Sequence, residues 1–156
     1  MSKRIDKASA LVGAPQESIY QSFVKEEAFK KWMAPHDMTM EIEAFDAVEG
    51  GMFTVNLIYN DREAAGKTVD NIDRYTGVFK TLEPYNRVIF TVEFDTDDES
   101  FQEIMEQEWT MIGQGNETEV FVTCRNVPEG IDQEVHERAL IVALYRLADH
   151  LGVEIR

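Results

Sequence analysis

The sequence predicts an α+β fold, in which a curved antiparallel sheet of seven strands packs one face against a long C-terminal helix. Two short helices are expected after the first strand. Apolar and polar residues alternate with a period of two between residues 38 and 127, which is typical of strands with one buried face. The last segment, 132–152, instead repeats its apolar residues every three or four positions. The sheet and this helix therefore bury each other's apolar faces.

The first elements are a strand and two helices. The stretch "RIDKASALVGAP" predicts the strand, and Pro15 suits the first turn of the helix that follows. The apolar side of that helix carries Ile19, Tyr20 and Phe23. The stretch "EEAFKKWMAPHD" predicts a second helix that ends before Pro35. Its apolar side carries Phe29, Trp32 and Met33.

Six further strands follow, separated by turn signals at "VEGG", "EPYN", the acidic stretch "DTDDES" and "GQGN". Their predicted ranges are 38–46, 51–60, 70–82, 87–95, 102–113 and 117–126. The final helix has Asp132 as its expected N-cap and Gly152 as its expected C-terminal stop. Its apolar stripe is His136, Leu140, Ala143, Leu144, Leu147 and Leu151. About 20 residues span roughly 30 Å, enough to cross a sheet.

Length and charge limit the possible functions. A chain of 156 residues predicts a single domain, 1–156, with enough buried surface for a core. The net charge of −15 repels phosphate groups and anionic lipid surfaces, so neither nucleic acid nor a membrane is an expected partner.

Composition also bears on location and cofactors. Cys124 is the one cysteine, so it has no internal disulfide partner. No apolar stretch suits a signal peptide or a membrane span, and a cytoplasmic location is expected. No closely spaced metal ligands and no glycine-rich phosphate loop opening a helix occur, so neither metal nor cofactor is expected.

Four polar residues fall on the otherwise apolar face of the predicted sheet. They are Tyr59, Asp73, Tyr75 and Gln107. An apolar wall with a few polar groups is typical of a ligand pocket. The alternative is that these residues lie at the rims of the sheet and meet water or each other. His136 on the helix stripe has the same two interpretations, a ligand contact or a structural histidine.

Several stretches resemble the START-like superfamily, also called SRPBCC or polyketide cyclase/dehydrase and lipid transport, which has the helix-grip fold. They include "APQESIYQSFVKEEAFKKWMAP", "FDAVEGGMFTVNL", "YTGVFKTLEPYNRVIFTVEF" and "GNETEVFVTCRNVPEGID". The most similar branch is the bacterial relatives of the heat-shock protein 90 ATPase activator. Relatives often have a Gly-Trp pair in the long helix, where this chain has Ala139-Leu140, and a second histidine where it has Cys124.

The resemblance implies an apolar ligand held between the sheet and the long helix. The expected ligand-binding residues are Tyr59, Asp73, Tyr75, Phe90, Gln107, Trp109, His136, Leu140 and Leu144. The primary hypothesis is non-catalytic binding of a small apolar or aromatic molecule. The first alternative is a module that binds a chaperone or another protein, with a role in the stress response. The second is a cyclase or hydratase with Asp73, Tyr75 or His136 as general acid or base. A monomer is expected, or a homodimer formed by an edge strand.

Overall fold

The computed structural model describes residues 4–60 and 71–156. Over these residues the chain forms seven strands and three α-helices. The strands are β1 (Ile5–Val12), β2 (Met38–Phe45), β3 (Met52–Tyr59), β4 (Ile72–Glu83), β5 (Arg87–Phe94), β6 (Met105–Gln114) and β7 (Glu117–Arg125). The helices are α1 (Gln16–Val24), α2 (Glu26–Trp32) and α3 (Gln133–Leu151).

The strands form one antiparallel sheet in the order β1-β7-β6-β5-β4-β3-β2. The register shifts between Ile42 and Ala44 in β2 and between Phe79 and Thr81 in β4. Such irregularities bend strands and increase their twist, and so help the sheet to curve. Helix α3 crosses the concave side and packs on β1 and α2. The predicted seven-stranded sheet with a long C-terminal helix is therefore confirmed.

One strand boundary differs from the prediction by three residues, and the other ends differ by two at most. The strand expected from residue 102 begins at Met105, because residues Glu99–Phe101 form a 3-10 turn instead. The Asp98 carboxylate stabilises that turn by accepting a hydrogen bond from the Ser100 backbone N–H at 3.0 Å. The strand expected over 70–82 is β4, and the predicted first residue of this strand lies outside the described residues.

The termini of α3 agree with the sequence signals. The Asp132 carboxylate accepts a hydrogen bond from the Val135 backbone N–H at 2.9 Å, as an N-cap residue does. Gly152 has φ of 68°, the left-handed conformation that a helix C-terminus favours and that glycine adopts without strain. The buried residues of α3 are Leu140, Ala143, Leu144, Leu147 and Ala148. Four of the six predicted stripe residues are thus buried, Ala148 is buried with them, and His136 and Leu151 are half-buried.

A cluster of aromatic rings fills the core between α1, α2 and the middle of the sheet. Phe29 of α2 packs its ring against Phe53 and Phe90, with centroids 5.6 and 6.3 Å apart. Trp32 is anchored because its indole N–H donates to the Ser22 carbonyl at 2.8 Å. The two short helices thereby seal one part of the sheet and leave another part to be covered by α3.

Among the described residues, none of the helices combines the length and the apolar character needed to cross a lipid bilayer.

Candidate functional site

A cavity of about 510 Å³ lies between the sheet and α3. Its sheet wall comes from the ends of β3 and β5 and the beginnings of β4 and β6, which meet because neighbouring strands are antiparallel. This wall consists of Leu57, Asp73, Tyr75, Val92, Phe94, Met105, Gln107 and Trp109. The α3 wall consists of Val135, His136, Ala139, Leu140, Ala143 and Arg146. The remaining lining residues are Met33, Pro35, Met38, Phe101, Gly130, Ile131 and Asp132.

The β3–β4 part of the wall contains a buried carboxylate, Asp73, and Tyr75, and Tyr59 contacts that carboxylate from outside the lining. Leu57 pairs with Asp73 across the two strands, and Asp73 is 2% exposed. The Tyr59 hydroxyl donates a hydrogen bond to Asp73 Oδ2 at 3.1 Å, so the hydroxyl at the end of this apolar face has a protein partner. Burial, with a smaller contribution from Asp73, raises the pKa of Tyr75. The Tyr75 hydroxyl keeps its proton and can donate a hydrogen bond into the cavity.

The β6 part of the wall presents an amide and an indole. The Trp109 indole N–H donates to Gln107 Oε1 at 3.1 Å, which fixes the orientation of both side chains. With its oxygen occupied in this way, the Gln107 amide nitrogen still has two N–H donors for a molecule in the cavity. Trp109 is 1% exposed, so its ring is a rigid apolar surface of the wall.

The α3 part of the wall contains a histidine held by a buried aspartate. His136 Nδ1 lies 2.7 Å from Oδ2 of Asp6, whose side chain has no exposed surface. Arg4 binds the same carboxylate through two hydrogen bonds, of 2.9 and 3.0 Å. Since Nδ1 is occupied, Nε2 is the ring nitrogen left to bind a molecule in the cavity. This arrangement joins β1 to α3 across 130 positions of the chain.

Six of the nine expected ligand-binding residues line the cavity: Asp73, Tyr75, Gln107, Trp109, His136 and Leu140. Tyr59 is not among the lining residues but contacts one of them, Asp73. Phe90 and Leu144 are not among the lining residues either, and both are fully buried in the core. Phe90 packs against the core rings of Phe53 and Phe79 instead.

Two residues that bear on the site, Asp6 and Arg146, were missed. Asp6 shares its strand face with the buried Val12, at an even spacing, so period-two alternation already placed a carboxylate on the core side. Arg146 follows Ala143 by three positions, which places it on the same side of α3. The periodicity of the sequence therefore placed Asp6 and Arg146 on the faces toward the site. A charged residue at the rim of the sheet would have the same periodicity, so this pattern alone does not identify a site residue.

Cys124 lies beneath this site rather than in it. It is opposite Asp6 on one side and Gln107 on the other, and its side chain has no exposed surface. Burial raises the pKa of the Cys124 thiol, with a smaller contribution from the Asp6 charge, so the thiol is a packing group here. Residues 4–60 and 71–156 contain no group of three histidine, cysteine or acidic side chains placed to hold a metal ion.

Solved structures with the same architecture come from several bacteria. A crystal structure of a Chromobacterium violaceum protein has 20% identity and a TM-score of 0.82, and the match covers 93% of this chain and 94% of that one. A solution structure from Arthrobacter aurescens has 14% identity and a TM-score of 0.80, over 96% and 87% of the two chains. These similarities establish a shared fold. They agree with the helix-grip fold of the START-like superfamily expected from the sequence.

The family comparison covers most of the chain. No curated protein matches the sequence. The family described as "Activator of Hsp90 ATPase homolog 1-like protein" matches residues 13–152. This range begins just after β1 and runs through α3, and so includes strands β2 to β7, all three helices described above and every residue that lines the cavity. The chain therefore belongs to the family of Activator of Hsp90 ATPase homolog 1-like proteins.

Proposed function

We propose that this protein binds a small apolar or aromatic molecule in the cavity between the sheet and α3. The observation that carries the proposal is the cavity itself, about 510 Å³ and lined mainly by apolar side chains. Its volume is within the range of small-molecule sites, and empty apolar space of this size costs packing energy unless something fills it.

The polar groups on the wall support binding of a molecule that also forms hydrogen bonds. The Tyr75 hydroxyl and the Gln107 amide nitrogen are donors, and His136 contributes Nε2. The side chains of Gln107 and His136 are fixed by their contacts with Trp109 and Asp6, so these two lose little side-chain entropy when a ligand binds. Such groups set the orientation of a ligand, while the apolar wall supplies most of the affinity.

The test uses the neutral apolar fluorophore N-phenyl-1-naphthylamine. Its emission should rise on binding, and it should quench Trp109, which lies on the wall. Ala143→Phe places a ring inside the cavity and should weaken probe binding at least tenfold. Val142→Phe adds the same ring at a neighbouring position that is 41% exposed and outside the lining, and should leave binding unchanged.

Two results would overturn the proposal. One is no binding of the probe to the wild-type protein, and the other is equal binding by the Ala143→Phe protein when its thermal melt is that of a folded protein. Either result would leave the protein-partner hypothesis as the stronger alternative. Native mass spectrometry adds an independent test, because a bound molecule appears as extra mass that denaturation removes.

A second candidate function, acid–base chemistry on the bound molecule, is favoured by the contact between Asp6 and His136. A histidine whose Nδ1 is held by a carboxylate has Nε2 oriented to accept a proton, which is how such pairs act in enzymes. Of the three residues expected as acid or base, His136 fits better than Asp73, whose carboxylate is already bonded by Tyr59. Once a substrate is known, Asp6→Asn should lower kcat more than it raises KM, and an unchanged kcat would exclude this role.

A further inference from the structure

Arg146 places a positive charge on the α3 wall of the cavity, where His136 is the other polar side chain. The Arg146 side chain is half-buried, and it lines both this cavity and a neighbouring one of about 400 Å³. Nε donates to the Trp32 carbonyl oxygen at 2.8 Å. Among residues 4–60 and 71–156, no carboxylate forms an ion pair with Arg146, and its two Nη groups have no hydrogen-bond partner.

An arginine in this position is costly without an anion. Burial lowers the pKa of Arg146, and the Asp37 charge only partly offsets that effect. The guanidinium nevertheless stays protonated in proteins, so the fold keeps a partly desolvated cation whose four Nη hydrogens lack a protein acceptor. Neither Nη group is fully buried, so water can reach both when no ligand is bound. A bound anion would satisfy these donors.

The end of the site beside Arg146 has a second cation, Lys31, although the protein as a whole is acidic. The second cavity is lined by Lys31, His36 and His150 as well as by Arg146, with Asp149 as its one carboxylate. The chain as a whole has 30 acidic against 15 basic residues. Lys31 and Arg146 together offset the charges of Asp149 and the nearby Asp37, so this end of the site is less negative than the chain as a whole and can accept a small anion.

The two cavities adjoin each other, because Pro35, Met38 and Arg146 line both. The larger cavity is mainly apolar, while the smaller one is mainly polar. Arg146 and His136 are ten positions apart on α3, which corresponds to about 15 Å along the helix axis. Between them the helix presents Ala139, Leu140 and Ala143 to the cavity. The site is thus elongated, with a cation at one end and an apolar middle.

From this geometry we infer that the ligand is an apolar monocarboxylate, such as a medium-chain fatty acid or an aryl carboxylic acid, with its carboxylate on Arg146. The two Nη groups form a planar fork that matches the two oxygens of a carboxylate. The apolar body extends from Arg146 along α3 toward His136. This inference rests on the proposed function, since it names the chemical class of the molecule that the cavity binds.

The test compares decanoate with decanol, which has a similar chain but no charge. Each competes with N-phenyl-1-naphthylamine for the wild-type protein and for three variants. Wild type should bind decanoate about tenfold or more tightly than decanol, because hydrogen bonds to charged groups are among the stronger ones. Arg146→Gln should remove that preference while decanol and the probe bind as before. Arg146→Lys should retain part of the preference for decanoate, since lysine keeps the positive charge but lacks the planar pair of Nη groups.

Arg138→Gln is the matched control, because Arg138 is an exposed arginine of the same helix that lines neither cavity. It should behave as wild type. Equal affinity of the wild-type protein for decanoate and decanol would overturn the inference, and needs no variant to fold. Loss of both ligands in Arg146→Gln would also overturn it. Failure of the probe to bind wild type would instead refute the proposed function itself, so the two failures are distinguishable.

Discussion

The contact between Asp6 and His136 offers a test of the site that needs no ligand. The perturbation is a double-mutant cycle with Asp6→Asn, His136→Asn and the combined variant. Asp6→Asn keeps the size of the side chain but removes its charge, and His136→Asn replaces the imidazole by a smaller amide, so each change weakens the charge-assisted hydrogen bond between Oδ2 and Nδ1, which is 2.7 Å long. The coupling energy of the cycle then measures this bond separately from the other contacts of each residue.

The expected magnitude follows from the burial of the pair. Hydrogen bonds to a charged group contribute about 1.5–3 kcal/mol, and the Asp6 side chain has no exposed surface through which water could replace the bond. Arg4 is 23% exposed, so its bond to Asp6 adds at most about 1 kcal/mol. Asp6→Asn should therefore lower the free energy of unfolding by about 2.5–4 kcal/mol. The coupling energy between the two residues should be about 1.5–3 kcal/mol.

The assay is urea denaturation of all four proteins, followed by far-ultraviolet circular dichroism and compared at a common m-value. Glu134→Gln, combined with His136→Asn in a parallel cycle, is the control. The Glu134→Gln substitution also changes an acid to its amide, in the first turn of α3, but the Glu134 carboxylate is exposed. Its coupling energy with His136 should be zero within about 0.5 kcal/mol. A value that small for Asp6 and His136 would refute the assigned contact.

Three further predictions concern the frame of the site. Gly77→Ala should lower the free energy of unfolding by about 2 kcal/mol or more, because the added Cβ would clash with the Thr91 carbonyl oxygen, which is fixed in the sheet. A urea midpoint equal to that of wild type would contradict this. Asp132→Ala should cost about 1 kcal/mol through loss of the N-cap, and Asp132→Asn should restore most of it in the same assay. The Cys124 thiol should resist Ellman's reagent at pH 8 in the folded protein and react in urea, since its raised pKa and burial suppress the reactive thiolate. Rapid reaction of the folded protein would mean that the strand opens locally.

The sequence by itself determined the elements and their faces. Period-two alternation identified the strands, and three- and four-residue spacing identified the buried stripe of α3, because each regular structure repeats its side chains with its own period. The end residues of α3, Asp132 and Gly152, were equally predictable, since capping is a local interaction. Alternation also placed Asp73, Tyr75 and Gln107 on the apolar face, where the cavity wall contains them.

The tertiary structure alone decided which of these residues meet. Asp6 and His136 are 130 positions apart, and Arg146 and the Trp32 carbonyl are 114 apart, so local sequence patterns cannot predict either contact. Alternation likewise could not tell that Tyr75 lines the cavity while Phe90 lies in the core. Both side chains are on the same face of the sheet, and only their positions along the strands differ. The period of the side chains tells which face of a strand or helix a residue is on. Whether that residue lines the cavity also depends on where it lies along the sheet, which is set by strand register and by how α2 and α3 pack on the sheet.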